Sequence, residues 1–162
     1  MNHYNSSTYK AHSSIGYLIR RGASLMRDQI EAAFAGHGLS FIQWATLLLL
    51  RDHPSYTASD LCRELHHDSG ALTRLLDQLE ARALIARQRS AMDRRSVTLV
   101  LLPTGHALME SLLPLVVERV NEALTDFTPS EVQTLAHLLE RLITRLENAE
   151  EDRSLLPSRI VK

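Results

Sequence analysis

Two segments of the chain carry the residues best suited to bind a polyanion. The first is predicted to be helical, and its polar face carries small or hydrogen-bonding residues, namely Ser69, Gly70, Thr73, Arg74 and Gln78. The second is a polar turn that contains Asp93, Arg94 and Arg95. A guanidinium can grip the paired acceptors of guanine or a phosphate, so both segments indicate nucleic-acid recognition. The alternative interpretation is an ordinary solvated surface.

Each arginine has a different expected task. Arg74 is the best candidate to read a base, on a helix whose small residues allow close entry into a major groove. Arg94 and Arg95 lie on a narrow protrusion that fits a minor groove. Asp93 would repel DNA, so we expect it to hold Arg95 through a charge-assisted pair that fixes the shape of the turn.

Charge along the chain is unevenly distributed. The formal net charge of all 162 residues is only −1, which predicts no polyanion partner by itself. Residues 82–98, however, hold five arginines against one aspartate, and residues 103–162 hold six basic against ten acidic residues. A local cationic patch on an otherwise acidic chain favours a nucleic-acid footprint over a membrane surface.

Apolar periodicity predicts the elements that position these residues. Two short helices, capped at Thr57 and Asp68, precede strand-like residues 85–89 and 96–101. This order predicts a mainly α fold with a small β-hairpin wing, a winged helix-turn-helix. A capping box at Ser40 opens a buried helix before it. The last helix carries a heptad seam that indicates self-association, formed by Val132, Leu135, Leu139, Leu142 and Leu146.

The sequence resembles the MarR family of bacterial transcription regulators over residues ~13–147. The stretches that carry the resemblance are Leu39-Ser40-Phe41-Ile42-Gln43-Trp44, residues 71–80, Asp93-Arg94-Arg95 with Val97 and Leu99, and Pro103-Thr104-Gly105. The resemblance implies an obligate homodimer on an inverted-repeat operator in double-stranded DNA, usually a repressor released by a small ligand or by oxidation. Family members often have glycine after the recognition helix, and Ala83 here favours a different helix ending. The wing also lacks the prolines frequent in the family, which predicts a more mobile wing.

This resemblance divides the chain into regions with different expected tasks. We expect a flexible N-terminal arm over 1–12, a helical dimerisation region over 13–38 and 103–147, a DNA-binding domain over 39–102, and a tail over 148–162. The resemblance also places an effector pocket between the dimer helices and the winged domain. Candidate ligand-binding residues for a small aromatic effector are Tyr17, Arg21, Trp44 and Arg87, with Thr73 at the domain junction.

Other functional classes have weaker support. Cys62, the single cysteine, is expected to be a small buried apolar residue, with a redox switch as the alternative. The eight histidines show no metal-ligand spacing, and no catalytic motif is present, so we expect no metal, no cofactor and no enzyme activity. The absence of long apolar runs and of a signal-peptide pattern predicts a cytoplasmic protein without membrane contact. A winged domain that docks a protein remains the alternative to DNA binding.

Overall fold

Helices dominate the computed structural model, which describes residues 3–34, 36–89 and 97–154. Within these ranges the elements, in order, are α1 (Ile15–Ala33), α2 (Phe41–Asp52), α3 (Ala58–Glu64), α4 (Ser69–Ala81), β1 (Ile85–Arg89), β2 (Val97–Leu101), α5 (Pro103–Ala123) and α6 (Pro129–Ser154). The prediction of a mainly α fold with one β-hairpin is confirmed. None of these helices is long and apolar enough to cross a membrane.

Side-chain caps fix where the helices of the winged region begin. Ser40 and Gln43 form the predicted capping box at α2, and Thr57 and Asp60 form a second one at α3. The Asp68 side chain accepts from the amide of Ala71 and caps α4. Hydrogen bonds from the hydroxyl and the amide of Thr57 hold the pKa of Asp60 below its usual range. The boundaries of α2, α3 and α4 are therefore set by local sequence.

Strands β1 and β2 form an antiparallel hairpin directly after α4. Ile85 pairs with Leu101 at its base and Arg89 pairs with Val97 at its outer end. The Leu99 amide also donates to the carbonyl of Tyr56, 3.0 Å away, which joins the hairpin to the loop before α3. The hairpin is thus attached to both helices of the helix-turn-helix.

One continuous apolar core lies beneath α4. Four leucines at positions 72, 75, 76 and 79 are buried there, as the helical period predicts. They share this core with buried residues of α1, α2, α3, α5 and both strands, including Phe34, Leu47, Leu61, Leu99 and Met109. The opposite face of α4 is left for solvent or a partner.

Helices α3 and α4 both end in the left-handed region without glycine. His66 (φ 46°) and Ala83 (φ 53°) occupy the positions where helices commonly carry glycine. After α4, the Ala83 amide donates to the Glu80 carbonyl and the Leu84 amide to the Leu79 carbonyl, which is the Schellman pattern. The expectation that Ala83 changes the helix ending is wrong, because packing and hydrogen bonds at Leu84 outweigh the roughly 1 kcal/mol cost of positive φ.

Both chain termini carry more structure than the sequence indicates. Residues 11–13 form a 3-10 turn, and the Ile15 amide donates to the Tyr4 hydroxyl, 3.0 Å away, at the start of α1. At the other end, α6 continues to Ser154, into the segment for which the sequence predicts a tail. By backbone contacts the chain forms two compact units, Met1–Asn121 and Glu122–Lys162.

Candidate nucleic-acid interface and effector groove

The outer face of α4 presents all five residues predicted for base reading. Ser69, Gly70, Thr73, Arg74 and Gln78 are exposed, whereas the leucines of the same helix are buried. Arg74 forms no hydrogen bond or ion pair with any residue in the described ranges, so its guanidinium is available. Gly70 lies one residue into the helix, where a Cβ atom would be 3.2 Å from the Asp68 carboxylate. The first two turns of α4 therefore present mostly short, polar residues on their exposed face.

Two of these five side chains also have partners inside the protein. The Thr73 hydroxyl donates to the Ser69 carbonyl, 2.8 Å away, which leaves its lone pairs as acceptors. The Gln78 Oε1 atom accepts from Gln43 Nε2 at 2.9 Å, so Gln78 is linked to the start of α2. Gln78 can still donate through its own amide group.

Arg87 links the hairpin to α4. Its guanidinium forms an ion pair with Asp77 at 2.7 Å and a second one with Glu80, and its backbone amide donates to Glu80 Oε1 at 3.1 Å. The hydrogen bonds from Arg87 to Asp77 and Glu80 raise the pKa of Arg87 above its ordinary value. Both carboxylates therefore occupy the guanidinium of Arg87, which is among the predicted ligand residues. The single positive charge of Arg87 offsets one of the two negative charges that would repel DNA.

The predicted wing-tip residues Asp93, Arg94 and Arg95 lie outside the described residues. They belong to the connection between Arg89 and Val97, whose backbones are paired.

A groove of about 540 Å³ lies between α1 and the first residue of α2. Its lining residues are Arg20, Ala23, Ser24, Met26, Arg27 and Phe41. The two arginines are seven residues apart on α1, which is two helical turns or ~10 Å. Arg20 lies over the Tyr17 ring at 5.7 Å, and Arg27 donates to Ser24 at 3.3 Å. An apolar floor with two guanidiniums at its edges suits an aromatic anion.

Three predicted ligand residues have different relations to this groove. Tyr17 does not line it but contacts Arg20, which does. Arg21 is exposed and does not line it, because it points about 100° round the helix from Arg20. Trp44 is buried against Phe34 and Phe41, with ring centroids 5.6 Å and 6.1 Å away. The buried Trp44 Nε1 atom has no hydrogen-bond partner in the described ranges.

Arg20, Arg27 and Phe41 line the groove but are not among the ligand residues predicted from the sequence. The available signal was the spacing of residues 20, 23, 24 and 27, which share one face of α1. Arginines flank the apolar stripe of α1 on both sides, so the spacing alone could not show which flank meets α2.

The structure gives little support to the other candidate sites, which are a redox switch at Cys62 and a metal site. Cys62 is half-buried in α3 and packs against the core. Within the described ranges, no group of three His, Cys, Asp or Glu side chains is arranged to hold a metal ion.

Comparison with known proteins gives a consistent set of relatives. The sequence model of the MarR family matches residues 37–96, from the α1–α2 loop to the residue before β2. An organic hydroperoxide resistance transcriptional regulator from Bacillus subtilis is 32% identical over 101 residues, which cover 62% of this chain and 69% of that protein. The transcriptional repressor NicR from Pseudomonas putida is 24% identical over 145 residues, which cover 90% of this chain and 92% of NicR.

A solved structure extends the likeness to the fold. The structure of BpsR from Bordetella bronchiseptica, described as regulated in DNA binding by 6-hydroxynicotinic acid, superposes with a TM-score of 0.73 at 25% identity. The match covers 83% of this chain and 96% of BpsR. Taken with the regulator from Bacillus subtilis and the family match, this likeness shows that the chain belongs to the MarR family of transcription regulators.

Proposed function

We propose that the protein is a homodimeric repressor that binds an inverted-repeat operator and is released by a small aromatic carboxylate. The observation that carries the DNA-binding part is the outer face of α4, where exposed small residues surround Arg74, which has no partner among the residues that the structure describes. The relatives support the same reading, since NicR is a transcriptional repressor and BpsR binds DNA.

In this proposal α4 enters the major groove with its first two turns. Ser69, Gly70 and Thr73 allow close approach, and Arg74 grips a guanine through two parallel hydrogen bonds. Arg87 halves the net negative charge of Asp77 and Glu80, which lets the helix lie deeper than its acidic residues alone would allow. Asp93, Arg94 and Arg95 of the wing connection would add minor-groove and phosphate contacts, which strengthen binding to all sequences alike.

Arg74→Ala is the test of base reading. We expect the variant to lose about 1–3 kcal/mol of operator affinity and to relax base preference at one position in each half-site, because a bidentate contact is lost. Fluorescence anisotropy with the operator and with single-base variants measures both effects. Arg63→Ala is the matched control, since Arg63 is an exposed arginine of α3 that pairs with Asp60. Equal base preference in wild type and Arg74→Ala would contradict the proposal.

Dimerisation is proposed from apolar residues left exposed on two helices. On α1 these are Ile15, Leu18, Ile19 and Leu25, and on α6 they are Leu135, Leu138, Ile143 and Leu146. Large exposed apolar patches mark association sites, and the residues on α6 include part of the heptad seam. A two-fold dimer would present two copies of α4 to one face of DNA and so require an inverted repeat.

The effector is proposed to bind in the groove between α1 and α2. Phe41 and Met26 offer apolar contact to an aromatic ring, and Arg20 and Arg27 offer charge-assisted hydrogen bonds to a carboxylate. The groove volume lies within the range usual for small-molecule sites. The chemistry of 6-hydroxynicotinic acid, the compound that regulates BpsR, combines such a ring with such a group.

Arg20→Met and Arg27→Met test the groove, with Arg21→Met as the matched control on the same helix. We expect each groove variant to weaken 6-hydroxynicotinic acid or salicylate binding about tenfold in calorimetry, because a charged hydrogen bond is lost. Arg21→Met should bind as wild type does, and all three should retain operator affinity. If all three variants weakened binding of the acid equally, the effector would have to bind at another site.

A further inference from the structure

The start of α2 is bonded to α1 on one side. Phe41, its first residue, lines the groove, and the Phe41 amide donates to Glu31 Oε1 on α1 at 2.9 Å. We define residues 36–43 as the α1–α2 junction. A molecule that moves Phe41 relative to α1 must also move this junction or break its bond to Glu31.

The same junction is bonded to the recognition helix on its other side. Gln43 Nε2 donates to Gln78 Oε1 at 2.9 Å. Arg82, the C-cap residue directly after α4, donates to the carbonyls of Gly38 at 2.5 Å and His37 at 3.2 Å. Gln78 and Arg82 are four residues apart, so the two attachments lie one turn apart on the same side of α4. Two attachments on one side constrain both the position and the rotation of the helix.

Local geometry fixes the orientation of the groups that form these attachments. Gln43 Oε1 accepts from the Ser40 amide at 3.0 Å in the capping box, so the planar side-chain amide is already oriented when Nε2 donates to Gln78. Gly36 (φ 91°) and Gly38 (φ 64°) hold the left-handed backbone of the loop whose carbonyls Arg82 contacts. The junction is therefore a hydrogen-bonded element and not a slack loop.

We propose that Gln43 and Arg82 are positioning residues that join α4 to the groove wall, so that occupancy of the groove changes the position of Arg74. The inference rests on the proposed function and adds to it the residues that carry the regulation. A ligand alters DNA binding only through a difference in its interaction with the two states. The junction connects the two sites, because Phe41 lines the groove and both Gln43 and the Gly38 carbonyl are bonded to the α4 side.

The first test compares the operator Kd with and without saturating 6-hydroxynicotinic acid. In Arg82→Met/Gln43→Met we expect the ratio of these values to fall about fivefold towards one, while the Kd of the acid for the free protein changes less than about threefold. Arg82→Lys, which keeps one donor group, should restore part of the ratio. Arg51→Met is the control, because Arg51 of α2 is paired with Asp52, away from this junction.

A second, ligand-free test separates this inference from the identity of the effector. Phe41→Leu and Arg82→Met are combined in a double-mutant cycle on operator Kd, and we expect a departure from additivity of more than about threefold. A wild-type ratio preserved in Arg82→Met/Gln43→Met would overturn the inference. If the acid has no effect on the operator Kd of wild type, the effector proposal is wrong. The double-mutant cycle then tests the inference by itself, and additive effects of the two substitutions would overturn it. A protein that binds no DNA would overturn both.

Discussion

Gly105→Ala is expected to lower the free energy of unfolding by about 3 kcal/mol or more. A Cβ atom at Gly105 would overlap the Leu84 carbonyl oxygen and lie 2.7 Å from Cδ1 of Leu101. The Leu84 carbonyl cannot retreat easily, because it accepts from the Leu102 amide at 3.0 Å. Overpacking against fixed backbone forces α5 away from the hairpin, and such strain costs several kcal/mol.

Urea denaturation measures this loss, with Gly16→Ala as the matched control. A Cβ atom at Gly16 meets nothing within 4 Å, so this helical glycine should tolerate alanine and even gain up to ~1 kcal/mol. A Gly105→Ala protein as stable as wild type, with an unchanged m-value, would show that α5 does not approach Leu84 this closely.

Leu135→Glu/Leu146→Glu is expected to convert the dimer into a monomer and to weaken operator binding at least ~100-fold. Both side chains are exposed on α6, at 44% and 58%, so their replacement should leave the fold of each chain intact. In the dimer each glutamate would be buried without a partner, which is strongly unfavourable. Operator affinity falls because two linked half-site contacts become one.

Sedimentation gives the mass, and anisotropy gives the operator Kd. The variant should sediment at the 18.3-kDa mass of one chain and wild type at twice that mass. Gln133→Glu/Thr144→Glu adds the same charge to α6 about 160° round the helix from the two leucines and should remain dimeric. A monomeric wild type, or a dimeric leucine variant, would contradict a seam on α6.

Features set by nearby residues could be predicted from the sequence. The caps at Ser40, Thr57 and Asp68 need only a side chain and an amide three residues away. The buried leucines of α4 follow from helical period, and the alternating apolar residues of β2 follow from strand period. These local signals are sufficient to give the winged helix-turn-helix and the exposed face that carries Arg74.

Features set by contacts between distant segments could not be predicted. The pairs of Arg87 with Asp77 and Glu80 join a strand to a helix, and nothing in their spacing distinguishes them from free surface charges. The requirement for glycine at position 105 comes from a carbonyl 21 residues earlier in the chain. Positive φ at Ala83 likewise depends on packing that local propensity does not describe.

In the proposed complex, α4 of a two-fold dimer reads an inverted repeat. Selection of bound fragments from random double-stranded DNA by the purified protein, followed by sequencing, tests it most directly. We predict enrichment of an inverted repeat whose half-site centres lie about one helical turn apart, roughly 34 Å, and loss of one enriched position per half-site with Arg74→Ala. Recovery of no sequence above the input pool, or of single unpaired sites, would contradict the binding of a dimer to an inverted repeat.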